Sequence, residues 1–173
     1  MGDRHTNPQK WNLRLENRNT GAKIDPRLSV FDQREDVTVV KLPYFGDEEH
    51  EGVIERAIPT ITVQTVDGPV KVTTVYDLIL ANYGIDRGMS GEVDKSYTDD
   101  NPYTPTWQEK ITGVKADIAI ATAREFADNA EKTKGRSMII MGGGIDHWYH
   151  ADVIYRTILN LIMFCGTEGV NGG

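Results

Sequence analysis

The sequence predicts an α/β chain in which a loop-rich arm is followed by a β-hairpin with a helix and then a parallel-sheet α/β unit. Three observations carry that expectation. Alternating apolar and polar residues flank Asp67-Gly68 on both sides. From about Lys115 to Ala130 a single apolar stripe recurs at helical spacing. A compact apolar run, Ser137 to Met141, leads into Gly142-Gly143-Gly144 and then a second helical pattern, the order of a parallel unit.

Residues 1–57 read as the arm. They are polar, broken by Pro8, Pro26 and Pro43, and carry only short apolar patches such as Val37 to Val40. A stretch with so little periodicity has to lean on other structure for burial. Residues 58–104 hold the hairpin, a helix and a surface loop. Ile61, Val63 and Thr65 alternate with Thr62, Gln64 and Val66 before the Asp-Gly turn, and Val70, Val72 and Thr74 alternate after it. Thr74 is placed to cap a helix, with Asp77 near its positive end and Gly84 as its stop. Residues 86–104, rich in Gly, Asp, Ser and Tyr, read as loop.

Residues 105–173 form the α/β unit, incomplete on its C-terminal side. Thr104-Pro105 starts a short helix with Trp107 and Ile111 that ends at Gly113. The next helix aligns Ala119, Ala123, Phe126 and Ala130, small residues suited to close approach to a sheet. Ser137 to Met141 is the expected strand. The last helix, from about Ala151 to Cys165, places Ile154, Ile158, Leu161, Ile162 and Cys165 on one side and ends at Gly166.

Composition narrows the functional classes. With 173 residues, 39% hydrophobic and 26% charged, the chain lies near globular averages, which excludes wholesale disorder and collagen-like repeats. Nineteen Lys+Arg against 26 Asp+Glu give a formal charge of −7 and argue against nucleic-acid binding by phosphate neutralisation. No apolar run is long enough for a bilayer crossing, and the opening MGDRHTNPQK lacks the apolar core of a secretory signal. Cys165 is the sole cysteine, so neither an intrachain disulfide nor a self-contained Cys-rich metal site can form.

The stretch from Met141 to His150 is the richest in chemistry. It is expected just past the carboxyl end of a strand and before a helix, where open α/β sheets bind ligands. Glycines expose backbone N–H groups to an anion such as a phosphate, and the following helix would add its positive end. The dinucleotide fingerprint is not met, because His147 occupies the place of its third glycine, and no Gly-Lys-Ser/Thr follows. The same glycines also suit a tight strand-to-helix turn with no ligand. Asp146, His147, Trp148, Tyr149 and His150 then gather two imidazoles, two aromatics and a carboxylate at a loop tip. His147 and His150 lack a third ligand, which argues against a metal site of their own. Cys165, Trp11 and Trp107 read as packing residues, and Glu48-Glu49-His50-Glu51 as a solvated run.

These residues also carry a resemblance. The segments LPYFG (42–46), TTVYDLILANYGIDRG (73–88), YTPTWQEKITGV (103–114), AREFADNAEKTKGRSMII (123–140) and the stretch 142–173 resemble, in order, the catalytic alpha subunit of membrane-bound respiratory nitrate reductase. That subunit is a molybdopterin oxidoreductase of the dimethyl-sulfoxide-reductase type. Before Leu42 the resemblance is loose and rests on Lys10-Trp11-Asn12-Leu13.

The resemblance implies an internal piece of a longer subunit with part of a molybdopterin oxidoreductase fold. It implies molybdenum held by two molybdopterin guanine dinucleotides and a 4Fe-4S cluster, with the metal and cluster ligands outside these residues. Gly143 and Gly144 are then expected in close backbone approach to the pterin, His147 and Trp148 at the molybdenum-facing funnel, and His150 in hydrogen bonding to the pterin, with His147 as the catalytic contact. The implied reaction reduces nitrate to nitrite with electrons from quinol through an iron–sulfur beta subunit and a membrane gamma subunit. A peripheral position on the cytoplasmic face, with no membrane span and no nucleic-acid partner, goes with it. The competing readings are a nitrite oxidoreductase alpha subunit running the reverse reaction, a non-catalytic subunit-interaction fragment, and a nucleotide-binding α/β domain.

Overall fold

A computed structural model describes residues 20–22, 27–44, 52–91 and 93–173. Lys10 to Leu13, Trp11, Pro8, Pro26 and the run Glu48 to Glu51 lie outside the described residues. The chain is mixed α/β and divides into two units, residues 1–95 and residues 96–173.

The first unit is built on a three-stranded antiparallel sheet, β1 (Asp36–Tyr44), β2 (Gly52–Thr65) and β3 (Gly68–Val72), in that order. β2 is the central strand. Its first part pairs with β1, from Asp36 opposite Thr60 to Tyr44 opposite Gly52, and its last part pairs with β3. The predicted hairpin is β2–β3, with Val66-Asp67 as the two-residue loop and Gly68 alone taking positive φ. The Thr65 hydroxyl donates to the Gly68 carbonyl and closes the turn.

β1 lies inside the stretch read as an arm. The residues 37–40 with their weak alternation form a regular strand because β2 supplies their hydrogen-bond partners, an effect that local pattern does not register.

Helix α1 (Val75–Asn82) follows β3 and packs on β2. Thr74 caps it by accepting from the Asp77 N–H at 3.1 Å, and Gly84, at φ +71°, follows its end. The core of this unit is Ile54, Ala57 and Ile58 of β2 with Ala81 of α1.

The second unit is helical. Helix α2 (Pro105–Thr112) starts at Thr104-Pro105 and stops at Gly113 (φ +73°) as expected, and the Thr104 side chain caps it by accepting from the Trp107 N–H. Helix α3 (Ala116–Thr133) runs a turn beyond its predicted end before Lys134 and Gly135 reverse the chain with positive φ. It packs on α2, not on a sheet. A four-residue helix α4 (Gly143–Asp146) and helix α5 (Ala151–Phe164) complete it.

Two sequence expectations change here. Ser137 to Met141 forms no strand, and among the described residues the unit has no parallel sheet. An apolar run becomes a strand only when neighbouring strands satisfy its backbone, and residues 96–173 place none beside it. The glycines also do not open the long helix. They lead into α4, and α5 starts only at Ala151 with His150 at its N-cap, so the expected pairing of glycine N–H groups with a long helix dipole is absent.

Candidate functional site: the turn from Gly142 to His150

The turn is held at both ends. On its N-terminal side, Asn129 of α3 donates its Nδ2 to Ser137 Oγ at 2.8 Å, and Ser137 Oγ donates to the Phe126 carbonyl at 3.0 Å. Ser137 is buried in consequence. Gly135 and Gly166 then join the ends of α3 and α5. A Cβ at Gly135, at φ +93°, would lie 2.5 Å from the Gly166 carbonyl oxygen, so this contact tolerates no side chain. Beyond Ser137 the chain becomes exposed, Ile140 to 88%.

The three glycines behave differently from Gly135. None of them has positive φ; Gly142 is extended at φ −134°, ψ 178°, and Gly143 and Gly144 begin α4. A Cβ at any of the three would meet nothing within 4 Å. Neither backbone conformation nor crowding within this chain therefore calls for glycine. What three side-chain-free residues in succession do provide is open access to the backbone.

After Asp146 the chain folds through two tight turns, with the Trp148 N–H on the Ile145 carbonyl at 3.2 Å and the Ala151 N–H on the Trp148 carbonyl at 3.1 Å. His147, Trp148, Tyr149 and His150 are all exposed, Tyr149 to 92%. Tyr149 and His150 meet edge to face at 4.6 Å between ring centroids. The structure thus brings the five predicted site residues, Gly143, Gly144, His147, Trp148 and His150, onto one solvent-facing turn.

No group of three His, Cys, Asp or Glu side chains able to hold a metal occurs among the described residues. Cys165 is half-buried, and burial raises its thiol pKa, which disfavours the thiolate a metal would need. No helix of the described residues is long and apolar enough to cross a membrane.

Sequence reasoning missed two arrangements. Asp77 is fully buried and accepts from the Ser29 hydroxyl at 2.6 Å, the Val30 N–H at 2.9 Å, the Thr74 hydroxyl at 2.7 Å and Arg87 Nη1 at 2.7 Å. Burial pushes its pKa up, but the hydrogen bonds from Ser29, Val30, Arg87 and Thr74 outweigh it and hold the carboxyl below its usual range. Ser29 lies 48 residues from Asp77, and no local signal announces such a pairing. The second arrangement is Tyr155 of α5, whose hydroxyl donates to Asp146 Oδ1 across the turn. That bond, then partial burial, then the carboxylate's charge raise the phenol pKa.

No family model matches the chain. Over its whole length it is 47% identical to the nitrate reductase alpha chain of Bacillus subtilis (strain 168), covering 14% of that protein. It is 45% identical, again over all of its residues, to the respiratory nitrate reductase 1 alpha chain of Escherichia coli (strain K12), covering 15% of it. A 70-residue stretch, 40% of the chain, is 47% identical to the perchlorate reductase subunit alpha of Dechloromonas aromatica (strain RCB), covering 7% of that subunit. The chain spans about one seventh of the length of the curated relatives it matches in full.

Proposed function

Along its whole length this chain belongs with the nitrate reductase alpha chains, and from that premise we propose that it is a segment of a catalytic subunit reducing nitrate to nitrite. Residues 105–173 supply one wall of its cofactor pocket, and residues 1–57 lean on the rest of the subunit. The observation that carries the assignment is the Gly142–Gly144 run, side-chain-free without a conformational or packing reason, adjoining an exposed His-Trp-Tyr-His sequence.

In this reading Gly143 and Gly144 let molybdenum-bis(molybdopterin guanine dinucleotide) approach the backbone. His147 and Trp148 line the approach to the metal, and His150 hydrogen-bonds the pterin. When bound, that group supplies the two-electron oxygen-atom chemistry of the reaction. The chain's own part is positioning and charge. A His147 imidazole N–H can donate to a nitrate oxygen and hold a proton close to the oxygen that leaves. Ligands to the molybdenum and to a 4Fe-4S cluster come from parts of the subunit outside this segment. Electrons from quinol arrive through an iron–sulfur beta subunit and a membrane gamma subunit, with this subunit peripheral on the cytoplasmic face.

His147→Ala in the assembled enzyme tests the reading. Loss of one transition-state hydrogen bond is expected to lower kcat/KM for nitrate about 100-fold with molybdenum retained. Unchanged nitrate kinetics would overturn the role of His147.

A further inference from the structure

The hydrogen bond between Asp146 and Tyr155 reaches from the end of α4 to α5 across residues 147–150, which include His147, Trp148 and His150. The other bonds of the turn are backbone ones: the Ile145 N–H to Gly142, the Trp148 N–H to Ile145, the Ala151 N–H to Trp148, and the Val153 and Ile154 N–H groups to the His150 carbonyl. Both imidazoles are exposed, and His150 meets the Tyr149 ring edge to face. Exposed imidazoles held by no more than a ring contact do not fix their own direction, because an exposed side chain moves among its rotamers. Their presentation is set by the backbone beneath them, and that backbone is bridged by one side-chain bond.

The chemistry of the pair suits the bridge. An ionised carboxylate only accepts, and a phenol hydroxyl is a directed donor on a rigid ring with few rotatable bonds. A loose carboxylate beside His147 would also repel an anionic substrate.

We propose that Asp146 and Tyr155 are positioning residues whose hydrogen bond closes the turn and sets the presentation of His147 and His150 toward an anionic oxyanion substrate. The inference rests on the cofactor-wall reading above. Both residues act through the imidazoles and touch neither substrate nor cofactor.

The test uses the assembled full-length enzyme, nitrate as substrate, and the Mo(V) electron paramagnetic resonance spectrum as a readout independent of turnover. Tyr155→Phe removes the hydroxyl and keeps the ring. It is expected to raise KM for nitrate about five- to tenfold, the worth of one hydrogen bond, with kcat within about twofold. The Mo(V) line shape should shift. Asp146→Ala should do the same, and the double variant should match either single one instead of multiplying their effects. Asp146→Asn keeps a carbonyl acceptor and should restore both KM and spectrum toward those of the parent enzyme.

Should Tyr155→Phe fail to assemble, the comparison of Asp146→Ala with Asp146→Asn decides alone, and equal behaviour of the two overturns the proposal. Multiplying effects in the double variant also overturn it. If His147→Ala shifts KM and spectrum while Tyr155→Phe and Asp146→Ala leave both unchanged, the bridge is overturned and the cofactor-wall reading stands. If His147→Ala moves neither readout, the cofactor-wall reading falls, and this inference with it.

Discussion

Residues 1–95 and residues 96–173 differ in what they bury and in what their glycines are for. The first unit buries Ile54, Ala57, Ile58 and Ala81 between a sheet and a helix, and stitches residues 29–30 to α1 and Arg87 through the enclosed carboxylate of Asp77. In the second, Ala130 is the one buried apolar residue among those described, and its other buried side chains are the hydroxyls of Thr104, Ser137 and Thr167. Apolar side chains more than half exposed occur in both, Leu28, Val53, Val66 and Val75 in the first and Ile118, Met138, Ile140, Val153 and Leu159 in the second. Gly84 is wedged against Asp94, whereas Gly142 to Gly144 face open space. A region whose sequence makes sense from its own contacts is a scaffold. Within the second unit, Gly142 to Gly144 have neither a conformational nor a packing reason in the chain, unlike Gly135.

The sharpest way to break the contrast is at Asp77. Asp77→Ala strands Arg87, whose guanidinium is mostly buried, and should destabilise the first unit by about 3–5 kcal/mol, read from the urea midpoint. Because its folded-state pKa is depressed, Asp77 stabilises the fold above its unfolded value of about 4, and that contribution is lost as pH falls through the lower folded value. The stability gap between the parent chain and Asp77→Asn should therefore narrow in acid. A gap that widens on acidification would contradict the network.

Gly84→Ala comes next. Its Cβ would lie 1.9 Å from Asp94 Oδ2, on a residue at φ +71°, and the expected loss is about 1–3 kcal/mol by the same measurement. The smallest effect on stability is predicted at Gly144. Gly144→Ala should change the midpoint by less than about 0.5 kcal/mol, since its Cβ meets nothing. In the assembled enzyme the same change should lower molybdenum content by metal analysis. Parent-level molybdenum would remove the functional half of the contrast.

Much of the first unit and most helix ends could be read in advance because their signals are local. Thr74, Pro105 and Gly113 mark helix boundaries by local chemistry, and Asp67-Gly68 marks the hairpin with its loop one residue earlier, at Val66-Asp67. What escaped depends on distance. β1 is a strand because β2 lies beside it, and Ser29 meets Asp77 only once the fold has formed. Ser137 to Met141 failed in the opposite sense, with strand composition but no neighbour to pair with. At the site, the sequence placed the five residues on one turn but tied them to the wrong helix. Tyr155 went unnoticed because a contact nine residues apart across a turn follows neither the helical nor the strand period.

The central claim is that the turn from Gly142 to His150 lies against the bound cofactor. Hydroxyl-radical footprinting of the whole enzyme, with and without its molybdenum cofactor, tests it at Trp148 and Tyr149, which are 71% and 92% exposed in this chain. The account predicts strong labelling of both in the cofactor-free enzyme and marked protection once the cofactor is bound. Equal labelling in the two states would contradict it.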